Sequence, residues 1–223
     1  MKIHILFGMI GFILLSGCNR AAEKNPRFYD AGVSRELAGH RKAQIKNLKY
    51  ELSFNIPRQK EAAIEGDITL RFDLASRQEV LIDFREEREK IKEVIANGVP
   101  VDKVRFENEH IILPASSTVE GANGIRIRFT AGNQSLNRND EYLYTLLVPD
   151  RARTVFPCFE QPNLKAEFTL QLELPADWKA VSNTYIRSET VTDDRKTVCF
   201  APTEPISTYL FSFVAGKLER REY

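Results

Sequence analysis

The chain has 223 residues, of which 43% are hydrophobic and 28% charged, a composition typical of a globular protein that buries a core. Its 32 Lys and Arg residues are balanced by 31 Asp and Glu residues, so the charge gives no support for a nucleic-acid partner. This length suits one large β domain or two small ones, and 14 Phe against 2 Met favour strands over helices.

Residues 1–17 are predicted to be a secretory signal peptide. Lys2 supplies a positive charge, and the apolar run 5–15 is shorter than the roughly 20 residues that cross a bilayer as a helix. A Leu-Ser-Gly-Cys sequence ends at Cys18 and resembles a bacterial lipobox, in which the cysteine thiol takes a diacylglycerol. We therefore expect a lipoprotein anchored to a membrane through Cys18, in the bacterial cell envelope and outside the cytoplasm. The alternative is an ordinary signal peptide with an incidental cysteine.

A tether and a short helix are expected next. Residues 18–32 are small, charged and interrupted by Pro and Gly without a hydrophobic period, which is typical of a tether. Ser34 is suited to cap a helix, and Glu36 falls in the first turn, where the helix dipole favours an anion. The helix is predicted to end near Ile45.

From Leu48 onward, apolar residues recur at every second position, which predicts β-strands. Asn97-Gly98 is the dipeptide most typical of a two-residue hairpin turn. The charged run 85–90 is predicted to be a solvated turn. Strands are expected at 48–56, 64–74 with a break at Gly66, 80–84, 91–95, 104–112, 125–129, 168–174, near 180, 198–200 and 209–214. Many short strands separated by turns predict an all-β sandwich or barrel-like domain.

One stretch in the second half carries a motif of fixed spacing. Residues 148–175 read VPDRARTVFPCFEQPNLKAEFTLQLELP. The stretch resembles a signature of the zinc aminopeptidases of the aminopeptidase N class, P-x-x-A-R-x-x-F-P-C-F/W-D-E-P-x-x-K-A-x-F. The matching residues are Pro149, Ala152, Arg153, Phe156, Pro157, Cys158, Phe159, Pro162, Lys165, Ala166 and Phe168. Glu160 and Gln161 are variants of the acidic pair, and the resemblance covers about residues 33–220.

The resemblance implies a saddle-shaped β-sandwich of antiparallel sheets with one short N-terminal helix, over residues 33–223. It also implies that the signature forms a loop at the side of a catalytic cleft. The residues expected in this loop are Val148, Pro149, Arg153, Phe156, Pro157, Cys158 and Phe159. By its own chemistry the loop is a scaffold, with Lys165 facing out and Phe168 facing in. Arg153 is expected to hold the loop through hydrogen bonds to carbonyl groups, and contact with a peptide's carboxyl end is the alternative.

The zinc chemistry of this family needs His-Glu-x-x-His on a helix, and the sequence contains no such motif. His4 lies in the signal peptide, His40 has no histidine four residues away, and His110 is expected at the surface or at a strand end. No cofactor is therefore expected in this chain, and the resemblance implies that zinc is bound by the catalytic domain, if one exists. Val148 stands where many family members have a Glu or Gln that binds the substrate's free amine, and its side chain accepts no hydrogen bond.

Together these observations predict the non-catalytic N-terminal domain of a membrane-anchored zinc aminopeptidase, truncated or separately encoded. Its predicted partners are a catalytic peptidase domain in the same or another chain, the membrane and, indirectly, a peptide substrate, with no nucleic acid. The alternative is a free-standing β-sandwich lipoprotein that binds a peptide, glycan or protein. A docking domain is expected to expose a large apolar patch, and a binder one concave site. Cys158 and Cys199 are expected to be buried free thiols, with a disulfide as the alternative.

Overall fold

The computed structural model describes residues 26–102 and 104–219. The predicted signal peptide, Cys18 and the first part of the predicted tether lie outside the described residues. A 3-10 helix at Pro26–Tyr29 is followed by α1, Arg35–Gln44, and then by strands. The strands are β1 Ile45–Asn55, β2 Glu65–Leu74, β3 Val80–Asp83, β4 Ile91–Ala96, β5 Val99–Pro100, β6 Arg105–Glu107, β7 His110–Leu113, β8 Gly121–Thr130, β9 Leu136–Arg138, β10 Tyr142–Thr145, β11 Glu167–Pro175, β12 Lys179–Ser182, β13 Ile186–Thr192, β14 Arg195–Phe200 and β15 Phe213–Gly216. Further 3-10 helices lie at Arg88–Lys90, Ala115–Ser117, Ala152–Thr154 and Thr208–Leu210.

The described strands form three sheets. An eight-stranded sheet has the order β13-β14-β11-β1-β2-β8-β4-β5, a four-stranded sheet the order β12-β15-β10-β9, and a three-stranded sheet the order β3-β7-β6. Neighbouring strands are antiparallel except β1 and β11, which run parallel with Tyr50 opposite Phe168. The predicted all-β fold of antiparallel sheets with one short helix is therefore confirmed, with one parallel pair at the centre of the large sheet.

The main core joins all three sheets. Alternate residues of β1 and β2 are buried, as the two-residue hydrophobic period predicts. Phe54 of β1 packs against Phe213 of β15 and Phe129 of β8, with ring centroids 5.4 and 6.1 Å apart. Each buried ring of this kind contributes about 1.5–3 kcal/mol by leaving water. Aromatic side chains thus hold the large sheet and the four-stranded sheet together, and the three-stranded sheet joins the same core through aliphatic residues such as Ile82 and Ile111.

The N-terminal helix begins as predicted. The Ser34 hydroxyl accepts a hydrogen bond from the Leu37 N–H at 3.1 Å, and the helix ends at Gln44. Leu37 is buried in a small separate cluster with Leu81 and Ile112. A short segment ahead of the helix also packs on the domain, since Asn108 donates to the Tyr29 carbonyl at 2.7 Å. Residues 26–32 of the predicted tether therefore lie against the folded domain.

The hairpin expected at Asn97-Gly98 is confirmed. Both residues have positive φ, 52° and 81°, and they connect β4 to β5. The predicted break at Gly66 is wrong, because β2 runs through it and pairs it with Phe129. A side chain at Gly66 would place its Cβ 2.4 Å from the Phe129 ring, so the glycine makes room for that ring.

Other strand predictions were wrong in their bounds. The single strand expected at 104–112 is a hairpin of β6 and β7, since Asn108 and Glu109 adopt positive φ and reverse the chain. The last strand begins at Phe213, after the 3-10 helix Thr208–Leu210. Strands β9, β10 and β13 were not predicted. The residues of β13 are all exposed, so this strand carries no alternation of buried and exposed residues.

Candidate functional site

The signature divides into an exposed tip and a buried base. The tip follows β10 and contains Val148 and Pro149, which are exposed and joined by a cis peptide bond. The base starts at the 3-10 helix Ala152–Thr154, and every residue from 152 to 161 is buried. Phe156, Cys158 and Phe159 therefore lie in the core, and the tip is the part that faces solvent. The predicted orientation of Lys165 and Phe168, out and in respectively, is confirmed.

The buried base is fixed to the domain through its backbone. Asp83 and Cys158 exchange two backbone hydrogen bonds of 2.8 and 3.0 Å. The Phe159 N–H donates to the Tyr50 hydroxyl at 2.8 Å, and the Glu160 N–H donates to Asp83 Oδ2 at 2.8 Å. Three successive N–H groups away from water are thus satisfied, and this sets the path of the segment.

Asp83 is the centre of a buried ionic cluster. Arg41 on α1 donates to both carboxylate oxygens, at 2.8 and 2.6 Å, and also to the Leu81 carbonyl at 2.8 Å. His110 Nδ1 lies 2.9 Å from Asp83 Oδ1, and its Nε2 lies 2.9 Å from the Asp30 carbonyl. Burial alone would raise the pKa of Asp83, but Arg41 and His110 outweigh burial and lower that pKa to about 2.

His110 lies at a strand end, as one of the two expected positions, but the expectation of a surface position was wrong, because its side chain is fully buried. It lies on β7, next to β3, and links Asp83 to the N-terminal segment through Asp30. An isolated histidine beside acidic residues gives no signal of this role in the sequence, and neither Arg41 nor Asp83 was predicted to belong to a site. The available hint was Asp83 directly after the apolar run 80–82, which places a carboxylate in a buried strand.

Glu160 is a second buried carboxylate. Its Oε2 accepts the Arg153 N–H at 2.9 Å, and its Oε1 accepts the Thr208 hydroxyl. Burial raises the pKa of Glu160, and these two hydrogen bonds act in the opposite direction. Glu160 therefore connects the signature to the 3-10 helix that precedes β15.

Arg153 holds the tip to the base through carboxylates. Its Nη1 lies 3.1 Å from Glu109 Oε2, and its Nη2 lies 3.3 Å from Asp150 Oδ2. Gly32, at φ +80°, lies against the guanidinium, since a Cβ there would be 3.1 Å from Nη1. The expected carbonyl acceptors are replaced by acidic side chains, and the buried guanidinium lies beneath the N-terminal segment.

The two described cysteines are free, as predicted. Cys158 is fully buried, and burial together with the charges of Glu160 and Asp83 raises the pKa of its thiol well above the usual value. The burial expected for Cys199 was wrong, because it is only half-buried, with its Sγ 3.6 Å from Gln171 Oε1. Because the thiolate is the reactive form, Cys158 is chemically inert in the folded protein.

Beside the tip, the four-stranded sheet exposes an apolar surface. Along β10 and its continuation, Tyr142, Leu146 and Val148 are exposed while Leu143 and Leu147 are buried. In the register of the sheet, half-buried Tyr144 lies beside half-buried Val214, and Val214 lies beside exposed Val181. We call this surface the outer face; its residues are Tyr142, Tyr144, Leu146, Val148, Val181 and Val214.

Within the described part of the chain, no group of three or more His, Cys, Asp or Glu side chains could hold a metal ion. His40 Nε2 hydrogen-bonds Gln78 at 2.6 Å, and His110 is held by Asp83. The signature region thus offers buried structural contacts and an exposed tip, in which apolar Val148 and Pro149 are followed by charged Asp150 and Arg151.

A sequence model of the peptidase M1 N-terminal domain matches residues 46–210, which include almost all of β1, Asp83 and His110 of the buried cluster, and the whole signature. The chain belongs to this family. In this peptidase M1 N-terminal domain the matched region ends at the 3-10 helix that carries Thr208, the partner of Glu160. The zinc-aminopeptidase resemblance is therefore confirmed at the level of the family.

Curated relatives share parts of this M1 domain. Aminopeptidase N of Streptomyces lividans is 31% identical over 198 residues, which is 82% of this chain and 22% of that protein. Puromycin-sensitive aminopeptidase of Caenorhabditis elegans is 46% identical over 70 residues, 30% of this chain and 7% of that protein. The chain thus spans about a fifth or less of the length of these relatives.

Solved structures show the same fold. An M1 zinc metallopeptidase from Deinococcus radiodurans has a TM-score of 0.67 and 20% identity, over 78% of this chain and 42% of that chain. A mutant of it bound to a Tyr-Ser-Ala substrate has a TM-score of 0.68 and 21% identity, over 80% and 44% of the two chains. The M1 N-terminal domain described here therefore corresponds to less than half of either solved chain.

Proposed function

We propose that this chain serves as the N-terminal domain of a zinc aminopeptidase, packs on the catalytic domain and shapes the cleft that receives peptide N-termini. The outer face carries the proposal. It is an exposed apolar surface on a domain of near-zero net charge, and it continues directly into the signature tip. Exposed apolar patches of this kind mark protein interfaces.

The contacts of the signature support a rigid loop at the side of the proposed cleft. The tip is held by Arg153, and the base is held by Asp83, Tyr50 and Thr208, so the tip is positioned by buried contacts. A loop on such a scaffold keeps its shape when a partner binds. Zinc, in this proposal, belongs to the catalytic domain.

The docking test starts with a candidate peptidase. An open reading frame with His-Glu-x-x-His, in frame with or adjacent to this chain, is co-expressed with it, and their affinity is measured. Val181→Asp on the outer face is expected to weaken binding at least 10-fold, because a charge becomes buried in an apolar interface. Val191→Asp on exposed β13 is the matched control and is expected to bind as wild type. Equal affinity of all three proteins, or no such peptidase in the genome, contradicts the proposal.

Val148 gives the tip a specific role in this proposal. It is exposed, and its side chain has no hydrogen-bond acceptor, so the tip contributes apolar shape and no amine binding from this position. In the assembled enzyme, Val148→Gln is expected to lower KM for peptides with a free N-terminus and to leave N-acetylated peptides unchanged. An identical effect on both peptide types, or none on either, counts against this role.

We also propose a lipid anchor at Cys18 that places the protein in the bacterial cell envelope, outside the cytoplasm. The support is the apolar run 5–15 followed by Leu-Ser-Gly-Cys. No helix among the described residues has the length and apolarity required to cross a membrane. Mass spectrometry of the membrane fraction is expected to find an acylated N-terminal Cys18, and Cys18→Ser to release the protein from that fraction. A mature chain that starts at another residue contradicts the anchor.

A further inference from the structure

A cavity of about 640 Å³ lies between α1 and the strands β2 and β3. This volume is in the range of about 300–1,000 Å³ that is typical of small-molecule sites. Most of its wall is apolar, including Phe28, Leu37, Leu74, Val80, Leu81 and Phe159. Neither the signature tip nor the outer face contributes to this wall, so the cavity is separate from the proposed docking surface.

The cavity lies at a seam between two hydrophobic clusters. Leu37 and Leu81 belong to the small cluster under α1, while Leu74, Val80 and Phe159 belong to the main core. All five side chains line the cavity. An apolar molecule in this cavity would contact both clusters at once and make van der Waals contacts with the side chains of each.

One wall of the cavity presents hydrogen-bond donors. The Gln78 side-chain oxygen can only accept, so His40 Nε2, 2.6 Å away, donates to it. Gln78 Nε2 in turn donates to Gln44 Oε1 at 2.8 Å. The Gln44 side-chain oxygen is therefore occupied as an acceptor, and the side-chain nitrogen of Gln44, which can only donate, belongs to the same part of the wall. Donor groups at the edge of an apolar cavity favour a ligand that carries an acceptor.

The cavity also carries positive charge. Arg77 lines it, is exposed, and uses its Nε to donate to the Ala115 carbonyl at 2.7 Å. Among the described residues its guanidinium has no ion-pair partner. Glu79 lines the cavity too, but it lies 3.4 Å from Arg105 and accepts a hydrogen bond from Tyr29. We propose that this cavity binds a monocarboxylate with an apolar body, of the chemical class of a medium-chain fatty acid.

The probe is laurate below its micelle concentration, with 1-dodecanol as the neutral analogue of equal chain length. The protein is the full chain carrying Cys18→Ser, which separates the test from lipidation. Calorimetry is expected to show one saturable site for laurate and at least 10-fold weaker binding of dodecanol. At a laurate concentration 100 times Kd, Tm is expected to rise by roughly 5–10 °C.

Variants locate the site. Ala115→Trp fills the cavity and is expected to abolish laurate binding. Ser116→Trp is the matched control, because Ser116 is the next residue of the same 3-10 helix, is exposed and lies outside the cavity wall. Arg77→Gln is expected to weaken laurate at least 10-fold and to leave dodecanol unchanged. Since Arg77 is exposed, that variant remains informative if Ala115→Trp fails to fold.

Three results overturn the proposal. The first is the absence of saturable laurate binding up to about 1 mM. The second is wild-type laurate binding in a folded Ala115→Trp protein. The third is equal affinity for laurate and dodecanol, which removes the carboxylate from the assignment.

Discussion

The buried ion pair between Asp83 and Arg41 makes the sharpest stability prediction. Replacing Asp83 with Asn keeps the shape of the side chain but removes its charge. In the wild type, Arg41 and the Glu160 N–H both donate to this carboxylate. In the variant, the side-chain NH2 group that replaces one carboxylate oxygen would face these donors and could not accept from them. Arg41 is 3% exposed, so its charge is left in the interior without a counter-charge. Asp67→Asn is the matched control, because Asp67 pairs with Arg126 through a similar fork at the surface.

The expected magnitudes differ widely. Breaking a buried pair by removing one partner costs about 3–5 kcal/mol, whereas an exposed pair contributes about 0–1 kcal/mol. With a urea m-value of about 2 kcal/mol/M, Asp83→Asn lowers the unfolding midpoint by roughly 1.5–2.5 M, and Asp67→Asn by less than about 0.5 M. Since a domain has about 5–15 kcal/mol in total, the Asp83 variant is expected to fold but to be marginal.

The pH dependence checks the same pair independently. The pKa of Asp83 is about 2 in the folded protein against an ordinary 3.8, which corresponds to roughly 2.5 kcal/mol of stability at neutral pH. Because the folded-state pKa is lowered, this contribution is present above the ordinary pKa and is lost as pH falls from about 4 to about 2. Urea titrations at pH 7, 4 and 2.5 should therefore show the gap between wild type and Asp83→Asn narrowing with acid. Equal midpoints for the Asp83 and Asp67 variants at pH 7, or a gap that widens with acid, refute the reasoning.

Three further predictions concern the core and the signature. Gly66→Ala is expected to cost about 1–3 kcal/mol in urea unfolding, because its methyl overlaps the Phe129 ring; wild-type stability would contradict that contact. Glu160→Gln tests a carboxylate whose pKa is raised in the folded state, so the stability of wild type relative to this variant should increase as pH falls from 7 to 5, and a decrease would show the opposite sign. With a thiol reagent and peptide mapping, Cys199 is expected to react in the folded protein and Cys158 only on unfolding; rapid labelling of Cys158 would show that its burial is transient.

The signature identified the family without indicating which of its residues are buried and which are exposed. Its spacing identified the family, because backbone contacts such as that of Phe159 with Tyr50 require particular residues at fixed positions. The same spacing said little about exposure. Phe156 and Cys158 lie in the core, while the apolar tip at Val148 faces solvent. Pro149 restricts the backbone in the exposed tip and Pro157 does so in the buried base. The sequence alone therefore did not distinguish the exposed part of the signature from the buried part.

Several local features followed directly from the sequence. Ser34 caps the helix and Asn97-Gly98 turns the hairpin, because each depends on the chemistry of one or two adjacent residues. The strands with clear two-residue alternation, such as β1 and β2, were also found. Strand β13 was missed because both its faces are exposed, and hydrophobic alternation is the signal by which strands are found.

The sequence by itself determined the family, the all-β class, the helix cap and the hairpin turn, because these depend on local spacing and on residue chemistry. Only the tertiary structure decided that Arg41, Asp83 and His110 meet, from α1, β3 and β7, in one buried cluster. It alone also placed Val181, Val214 and Tyr144 side by side on one face of the four-stranded sheet. Such contacts join residues tens of positions apart, and their energies depend on burial, which a linear pattern does not specify.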